Sequence, residues 1–323
     1  MIPPLHFVDL FAGPGGLDLG ARNAGVPSVG IEKDPNAVAT RLAAGLPTVH
    51  GDVRDFGPAD FPETNALAGG PPCQTFSGAG LGAGRAQLDR IVAAVKQAGA
   101  DGHVTAPAGA DERTALVLEP LRWTLAAATA SRPYEVVVLE QVPAVLPIWA
   151  AYTAVLEGIG YSARCGILTT EEYGLPQTRR RAVLVARLHG PVALPAPTHR
   201  PFRRGVPRCD GNQALKPWVS MADALPGRGP FTAISNYGTG GDPKARGRRD
   251  CDEPAFTVTG KISRLRLVDP DGRELPRLTH SEAGVLQGFP ANWPWAGLDI
   301  PQQIGNACPR PLAHALVEAA LGH

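Results

Sequence analysis

The sequence predicts an α/β fold: a parallel sheet with helices on both faces, joined to a smaller, irregular second domain. Three observations carry this. Short apolar runs alternate with helix-period segments as far as Arg187. A glycine-rich turn follows the first apolar run directly. Beyond Arg187 the alternation lapses into a stretch rich in Pro, Gly and Arg. At 323 residues the chain can bury one large core and a second, smaller one.

The elements follow in order. LHFVDLF (5–11) reads as a short buried strand. LDLGARNAG has helical spacing at Leu17, Leu19 and Ala21, with Gly25 as its C-cap. VPSVGIEKD is a strand ending in acid, and PNAVATRLAAG a helix with Pro35 at its start. VHGDV and NALAGGPP are strands three and four. TALVLEPLRWTLAAATASRP reads as a helix, and YEVVVLEQV as the clearest strand in the chain. Strands alternating with helices imply a parallel sheet, on which ligands bind beyond the carboxyl ends of the strands. Within the loop between strand four and its helix, residues 85–110 begin with the helix-like AQLDRIVAAVKQAG.

From His189 to Leu278 there are 15 Lys and Arg against 9 Asp and Glu, a net of +6, while the remainder carries 16 against 21, or −5. A basic segment in an acidic chain is an electrostatic footprint suited to a polyanion. AFTVTG and SRLRLV are its strand-like pieces, and Trp218, Phe231, Tyr237 and Phe256 give it something to bury. The expected division is therefore 1–188 plus 279–323 for the main domain and 189–278 for the second. No apolar run is long enough to span a bilayer. The first strand begins too early for a signal peptide, so a cytoplasmic protein is expected. Cysteines 73, 165, 209, 251 and 308 form no CxxC or Cys/His cluster, which argues against zinc or a disulfide frame.

FAGPGG (11–16) opens a helix after a strand, as nucleotide loops do, yet it lacks the GK[ST] of a P-loop. It also misses GxGxxG, because position 18 is Asp. The pattern points to an adenosine-containing ligand without a pyrophosphate. Glu32, at the end of strand two, stands where a carboxylate takes ribose hydroxyls, and Asp52 in GDV could accept from the adenine amino group. Cys73 comes after two prolines, which stiffen its approach, and before glycines that loosen the chain beyond it. Glu140, ending strand five, shares its edge. A thiolate and a carboxyl on adjacent strand ends suit addition to a poorly electrophilic ring.

On these residues the chain resembles the DNA (cytosine-5)-methyltransferases along nearly its whole length. FAGPGGL is similar to their cofactor loop, IEKD to the ribose strand, GDV to the adenine contact and GGPPCQTFS to the catalytic cysteine loop. VLEQV is similar to the catalytic Glu motif and LPQTRRRAVLVA to the Q-x-R-x-R motif, while LTHSEAGVLQGFP and QIGNACPRPLA resemble the two C-terminal motifs. The resemblance implies a Rossmann-like S-adenosylmethionine-dependent methyltransferase sheet with a target-recognition domain between Q-x-R-x-R and LQGFP. It implies S-adenosyl-L-methionine as cofactor, double-stranded DNA as partner and a monomer acting alone. Cys73 would add to C6 of a flipped cytosine, Glu140 would serve N3, and Arg181 with Arg179 would hold the ring carbonyl and the cysteine loop. Phosphate binding remains an equal role for Arg179. Phe11, Gly13, Gly15, Gly16, Leu17, Glu32, Asp52, Val53, Pro72, Leu116 and Asn306 would line the cofactor site. Gln74, Ser77 and Gln177 would meet DNA, with Arg246, Arg248, Arg249 and Asn236 as base-reading candidates. The family's alternative substrate is tRNA, and a DNA-binding homologue with impaired catalysis is the other alternative. Two departures stand out: Gln141 replaces the usual Asn of Glu-Asn-Val, and the 85–110 stretch lengthens the loop, either to extend DNA contact or as a packed ornament.

Overall fold

The computed structural model describes residues 4–72, 76, 87–235 and 246–322. Seven strands form one sheet: β1 (Phe7–Leu10), β2 (Ser28–Glu32), β3 (Thr48–His50), β4 (Ala66–Gly69), β5 (Val136–Gln141), β6 (Ser162–Thr169) and β7 (Arg180–Arg187). Their order is β3-β2-β1-β4-β5-β7-β6. The first five pair in parallel, as the alternation predicts, but β7 runs antiparallel to both β5 and β6. Residues 170–179 alone join β6 to β7, too few for the crossover a parallel pair needs. The sheet is thus mostly parallel, with β7 reversed.

Alternate strand residues divide between the faces. Val8, Leu10, Leu67, Val137, Leu139 and Leu184 share one core with buried side chains of α3 (Leu88–Asp101), α4 (Glu119–Thr129) and α5 (Leu146–Gly158). Phe7, Ala66, Val136, Val138, Val183 and Val185 share the other with α1 (Gly16–Asn23) and the C-terminal helix α8 (Arg310–Leu321). A side chain at Gly16 would overlap the Cys308 carbonyl, and one at Gly20 would overlap Ala313. The close contact of α1 with the C-terminal segment therefore depends on both glycines.

The extra stretch is a packed element. Ile91, Val95 and Ala98 of α3 are fully buried, and Gly99 lies against Val155 of α5. One face of its helix belongs to the sheet's core, while Asp89, Arg90, Lys96 and Gln97 on the rest of the helix are exposed.

The basic segment holds an antiparallel sheet of β8 (Thr232–Ile234), β9 (Arg248–Asp250), β10 (Arg266–Val268) and β11 (Glu274–Leu275), ordered β11-β10-β8-β9. SRLRLV ends in β10, whereas AFTVTG forms only a bridge from Ala255 to Gln177. Phe231, Ala233, Val258 and Leu267 pack with Ala283 and Leu286 of α6 (His280–Leu286) and Ile304 of α7 (Ile300–Asn306). So small a sheet buries too little alone, and helices from beyond residue 278 complete its core. Among the described residues no helix is long and apolar enough to cross a membrane.

The β6–β7 connection carries a carboxyl poised near neutrality. Glu171 is buried, and loss of solvent pushes its carboxyl up to about 7. A raised carboxyl stabilises the fold fully below its ordinary value, and that contribution is lost as pH rises through 7. Glu171→Gln is expected to remove up to about 3 kcal/mol of this pH dependence between pH 4.5 and 8. Urea unfolding of both proteins across that range checks it. Curves that keep a constant separation would contradict it.

Candidate active site

The carboxyl ends of β1, β2, β4 and β5 meet along one edge. At the end of β1 Phe11 has φ 62, a conformation rare for a non-glycine, and is half-buried. Gly13 follows at φ 54, with open space where a side chain would stand. Its N–H donates to Glu32 Oε2 at 2.7 Å, while Asp34 N–H donates to Oε1 at 2.7 Å. With its four lone-pair positions the Glu32 carboxylate keeps acceptor capacity for a hydroxyl beside these backbone bonds. Burial raises the Glu32 carboxyl above its ordinary value, and the backbone bonds oppose that shift.

The remaining loop residues play other parts. A side chain at Gly15 would overlap Leu46, and Leu17 is buried in the α1–α8 core. Gly15, Gly16 and Leu17 thus serve packing through their side-chain positions, which leaves only their backbone for a ligand. Asp18, which broke the dinucleotide pattern, is paired at zero exposure with Arg41, through Nη1–Oδ2 at 2.6 Å and Nη2–Oδ1 at 3.1 Å. Arg41 also donates to Thr48 Oγ1, and Ser28 Oγ to Asp18. Asp9 is buried beside them, its carboxyl held far above the ordinary range by burial and by the Asp18 charge. An acid at the third position of α1 and an Arg on the next helix, α2 (Pro35–Ala43), were the available signals for this pair.

Asp52 departs from its expected role as a free acceptor. Oδ1 receives Arg54 N at 3.0 Å and Nε at 2.9 Å, and Oδ2 receives Arg54 Nη2 at 2.6 Å and Lys33 Nζ at 2.8 Å. All four lone-pair positions are therefore taken. These bonds, led by that of Arg54, hold the carboxyl far below the ordinary range. Arg54 Nη1 continues to Glu112 Oε1 at 2.6 Å. Val53 is buried in the core and its carbonyl accepts from Arg122 Nη2 at 2.9 Å, so its side chain too is structural. Leu116 is half-buried after the Glu112–Ala115 turn, and Asn306 is exposed at the end of α7.

The catalytic candidates depend on the reversal of β7. Glu140 pairs with Val183 in the antiparallel register, so Arg181 lies on the same face two residues along, within reach across the diagonal. Its Nε stands 2.6 Å from Glu140 Oε1, with both side chains buried. The Q-x-R-x-R spacing keeps Gln177, Arg179 and Arg181 on one side of an extended chain. Arg179 donates to the carbonyls of Val258 and Gly305, both at 2.9 Å. Its guanidinium joins α7 to the segment at Val258, which packs in the core of the small sheet. Gln177 requires a correction. It is fully buried, donating to Leu286 O and Gln287 Oε1 and accepting from Val258 N, and so cannot touch DNA. Gln287, passed over in the sequence, extends this chain to the Ala307 carbonyl at 2.6 Å.

Gln141 has a defined task. Its Nε2 donates to the Pro71 carbonyl, and its Oε1 accepts from Val142 N. The longer amide ties β5 to the proline pair before Cys73. Gln141→Leu is expected to orphan the buried Pro71 carbonyl and cost about 1–3 kcal/mol. Gln141→Asn should lose less. Chemical denaturation compares the two, and equal stability of Gln141→Leu and wild type would refute the brace.

Cys73, Gln74, Ser77 and Asn236 lie outside the described residues, and Pro72 is half-buried just before them. Arg248 is exposed on β9 and Arg246 half-buried before it. Arg249, on the opposite face of β9, stacks on Phe202 at 4.3 Å and Phe256 at 5.3 Å. Burial lowers its guanidinium below the ordinary value. Arg249 is thus half-buried packing material rather than a solvent-facing base reader.

Sheet order, the single reversed strand and an open loop at the end of β1 together define a Rossmann-like methyltransferase fold. A family model described as C-5 cytosine-specific DNA methylase matches residues 5–90. The Type II methyltransferase M.NgoMIV of Neisseria gonorrhoeae is 30% identical over 333 residues, covering 96% of this chain and 95% of that protein. The Type II methyltransferase M1.HphI of Haemophilus parahaemolyticus is 26% identical over 98% of this chain and 87% of its own. Among solved structures, an E. coli prophage-encoded DNA modification methyltransferase superposes with a TM-score of 0.65 at 18% identity, covering 98% of this chain and 99% of that one. The Dnmt2 methyltransferase of S. pombe gives 0.60 at 17% identity, covering 98% of each. The chain belongs to the C-5 cytosine-specific DNA methylases and is a DNA cytosine-5 methyltransferase.

Proposed function

We propose that the protein transfers a methyl group from S-adenosyl-L-methionine to C5 of a cytosine flipped out of a short sequence in double-stranded DNA. The observation that carries this is the buried Glu140–Arg181 pair, one residue from the Gln141 bond to Pro71. It sets an acid and its partner cation beside the root of the Cys73 segment. C5 of cytosine is too weak a nucleophile to react unaided. Addition of the Cys73 thiolate to C6, with Glu140 delivering a proton to N3, makes C5 an enamine carbon. Once C5 carries the methyl group, loss of its remaining proton to a base expels the Cys73 thiolate from C6, N3 returns its proton to Glu140, and the ring is restored. Arg181 orients the Glu140 carboxyl and would serve the ring carbonyl.

The cofactor site fits an adenosine lacking a diphosphate. Gly13 leaves open space, Phe11 at the strand end offers a ring for the base, and Glu32 retains acceptor capacity for ribose hydroxyls. Phe11, Gly13, Glu32, Asp52, Pro72, Leu116 and Asn306 would hold it, with backbone from 15–17 and Val53. When bound, S-adenosylmethionine supplies a methyl group as a sulfonium electrophile. Residues 189–278 form the recognition domain on this reading, with Arg246, Arg248 and Asn236 toward the DNA. The base is read from a flipped position because its ring atoms are unreachable in a duplex.

The test is bisulfite sequencing of DNA from a methylase-free bacterial host expressing the protein, beside a Cys73→Ser variant. Protection of cytosines in one short context, abolished in Cys73→Ser, is expected. Unprotected DNA from a folded protein that binds the cofactor would overturn DNA as the substrate.

A further inference from the structure

We propose that Lys33 is a displaceable occupant of the adenine side of the cofactor site, and that Arg54 is the residue holding Asp52 ready for the ligand. This rests on the reading of Asp52 as the adenine acceptor. The four donors that fill its lone pairs are unequal. Three belong to Arg54, whose backbone N, Nε and Nη2 reach Asp52 at 3.0, 2.9 and 2.6 Å. Arg54 is fixed again at its other end by Glu112, at 2.6 Å. The fourth is the Lys33 ammonium, a single contact at 2.8 Å from a side chain that is 70% exposed.

An adenine amino group needs one lone pair on this carboxylate. Withdrawing Arg54 would break a two-pronged, charge-assisted fork and leave Glu112 without its partner. Withdrawing Lys33 breaks one contact and returns an ammonium to water. The Lys33 backbone need not move: its carbonyl faces His50 Nε2 at 3.2 Å, across the paired ends of β2 and β3. Oδ2, which Lys33 shares with Arg54 Nη2, is therefore the atom that opens. Lys33 then competes with the ligand, and its competition is weakened by salt because the ammonium is exposed. Arg54 lowers the cost of binding by fixing the carboxylate's orientation beforehand.

The experiment measures dissociation constants of S-adenosylhomocysteine and of its inosine counterpart, in which a ring carbonyl replaces the amino donor. Wild type, Lys33→Met, Arg54→Gln and Asp52→Asn are compared at low and high salt. Lys33→Met keeps an aliphatic stem but removes the charge. It is expected to bind S-adenosylhomocysteine about threefold tighter at low salt, with the gain fading at high salt and absent for the inosine compound. Arg54→Gln is expected to weaken S-adenosylhomocysteine about tenfold. Unchanged or weaker binding by Lys33→Met at low salt, with Asp52→Asn weakened, would overturn the proposal alone. Unchanged binding by Asp52→Asn would overturn the adenine reading and the proposal with it.

Discussion

Glu140→Gln is expected to slow cytosine methylation by about 10²–10⁴-fold while leaving cofactor affinity unchanged. The amide keeps the shape of the carboxyl and an oxygen for Arg181, but it has no proton to give N3. The loss therefore falls on the chemical step rather than on cofactor binding. The fold bears some cost as well, since Arg181 is left beside a neutral partner in a buried position. Single-turnover methylation, run where circular dichroism shows the variant folded, separates the two effects. A folded Glu140→Gln variant with the wild-type rate would remove Glu140 from the mechanism.

Arg41→Met is expected to lower stability by about 3–5 kcal/mol, because it strands the Asp18 carboxylate at zero exposure. The loss extends beyond the pair, as Arg41 also bonds Thr48 Oγ1 and the Pro47 carbonyl. Asp18→Asn should be milder. The amide keeps an oxygen for the Arg41 guanidinium, and it removes the Asp18 charge that, after burial, pushes the Asp9 carboxyl up. The double variant Asp18→Asn/Arg41→Met is expected to be more stable than the sum of its single changes predicts. Urea unfolding of the four proteins completes the cycle, and strict additivity would show that the two side chains do not depend on one another.

Much of the fold was legible because it is local. The run FVDL, the glycines after it and the Pro-started helix each state their conformation within a few residues. Four of the first five strands are therefore found where the alternation puts them, while of VHGDV only Val49 and His50 belong to β3 and a 3-10 turn begins at Val53. The catalytic candidates were legible for a different reason: thiol and carboxyl chemistry requires particular residue types at strand ends, and few positions offer them. Gln177 and Arg249 were misread because a polar side chain looks the same in sequence whether it meets DNA or buried carbonyls and aromatic rings. Asp52 was half-read, since its place at the end of β3 is local but its four donors come from Lys33 and Arg54.

The sequence by itself determined the order of elements as far as β5 and the glycine loop after β1, and it offered the candidate residues of the reaction. Tertiary structure alone decided that β7 reverses, which brings Arg181 diagonally to Glu140. It also decided that α3 packs on α5, and that helices beyond residue 278 complete the core of the small sheet. The physical reason is range. Periodicity and turn chemistry act over a few neighbouring residues, whereas an ion pair such as Glu140–Arg181 forms only after the segment between its partners has folded back on itself.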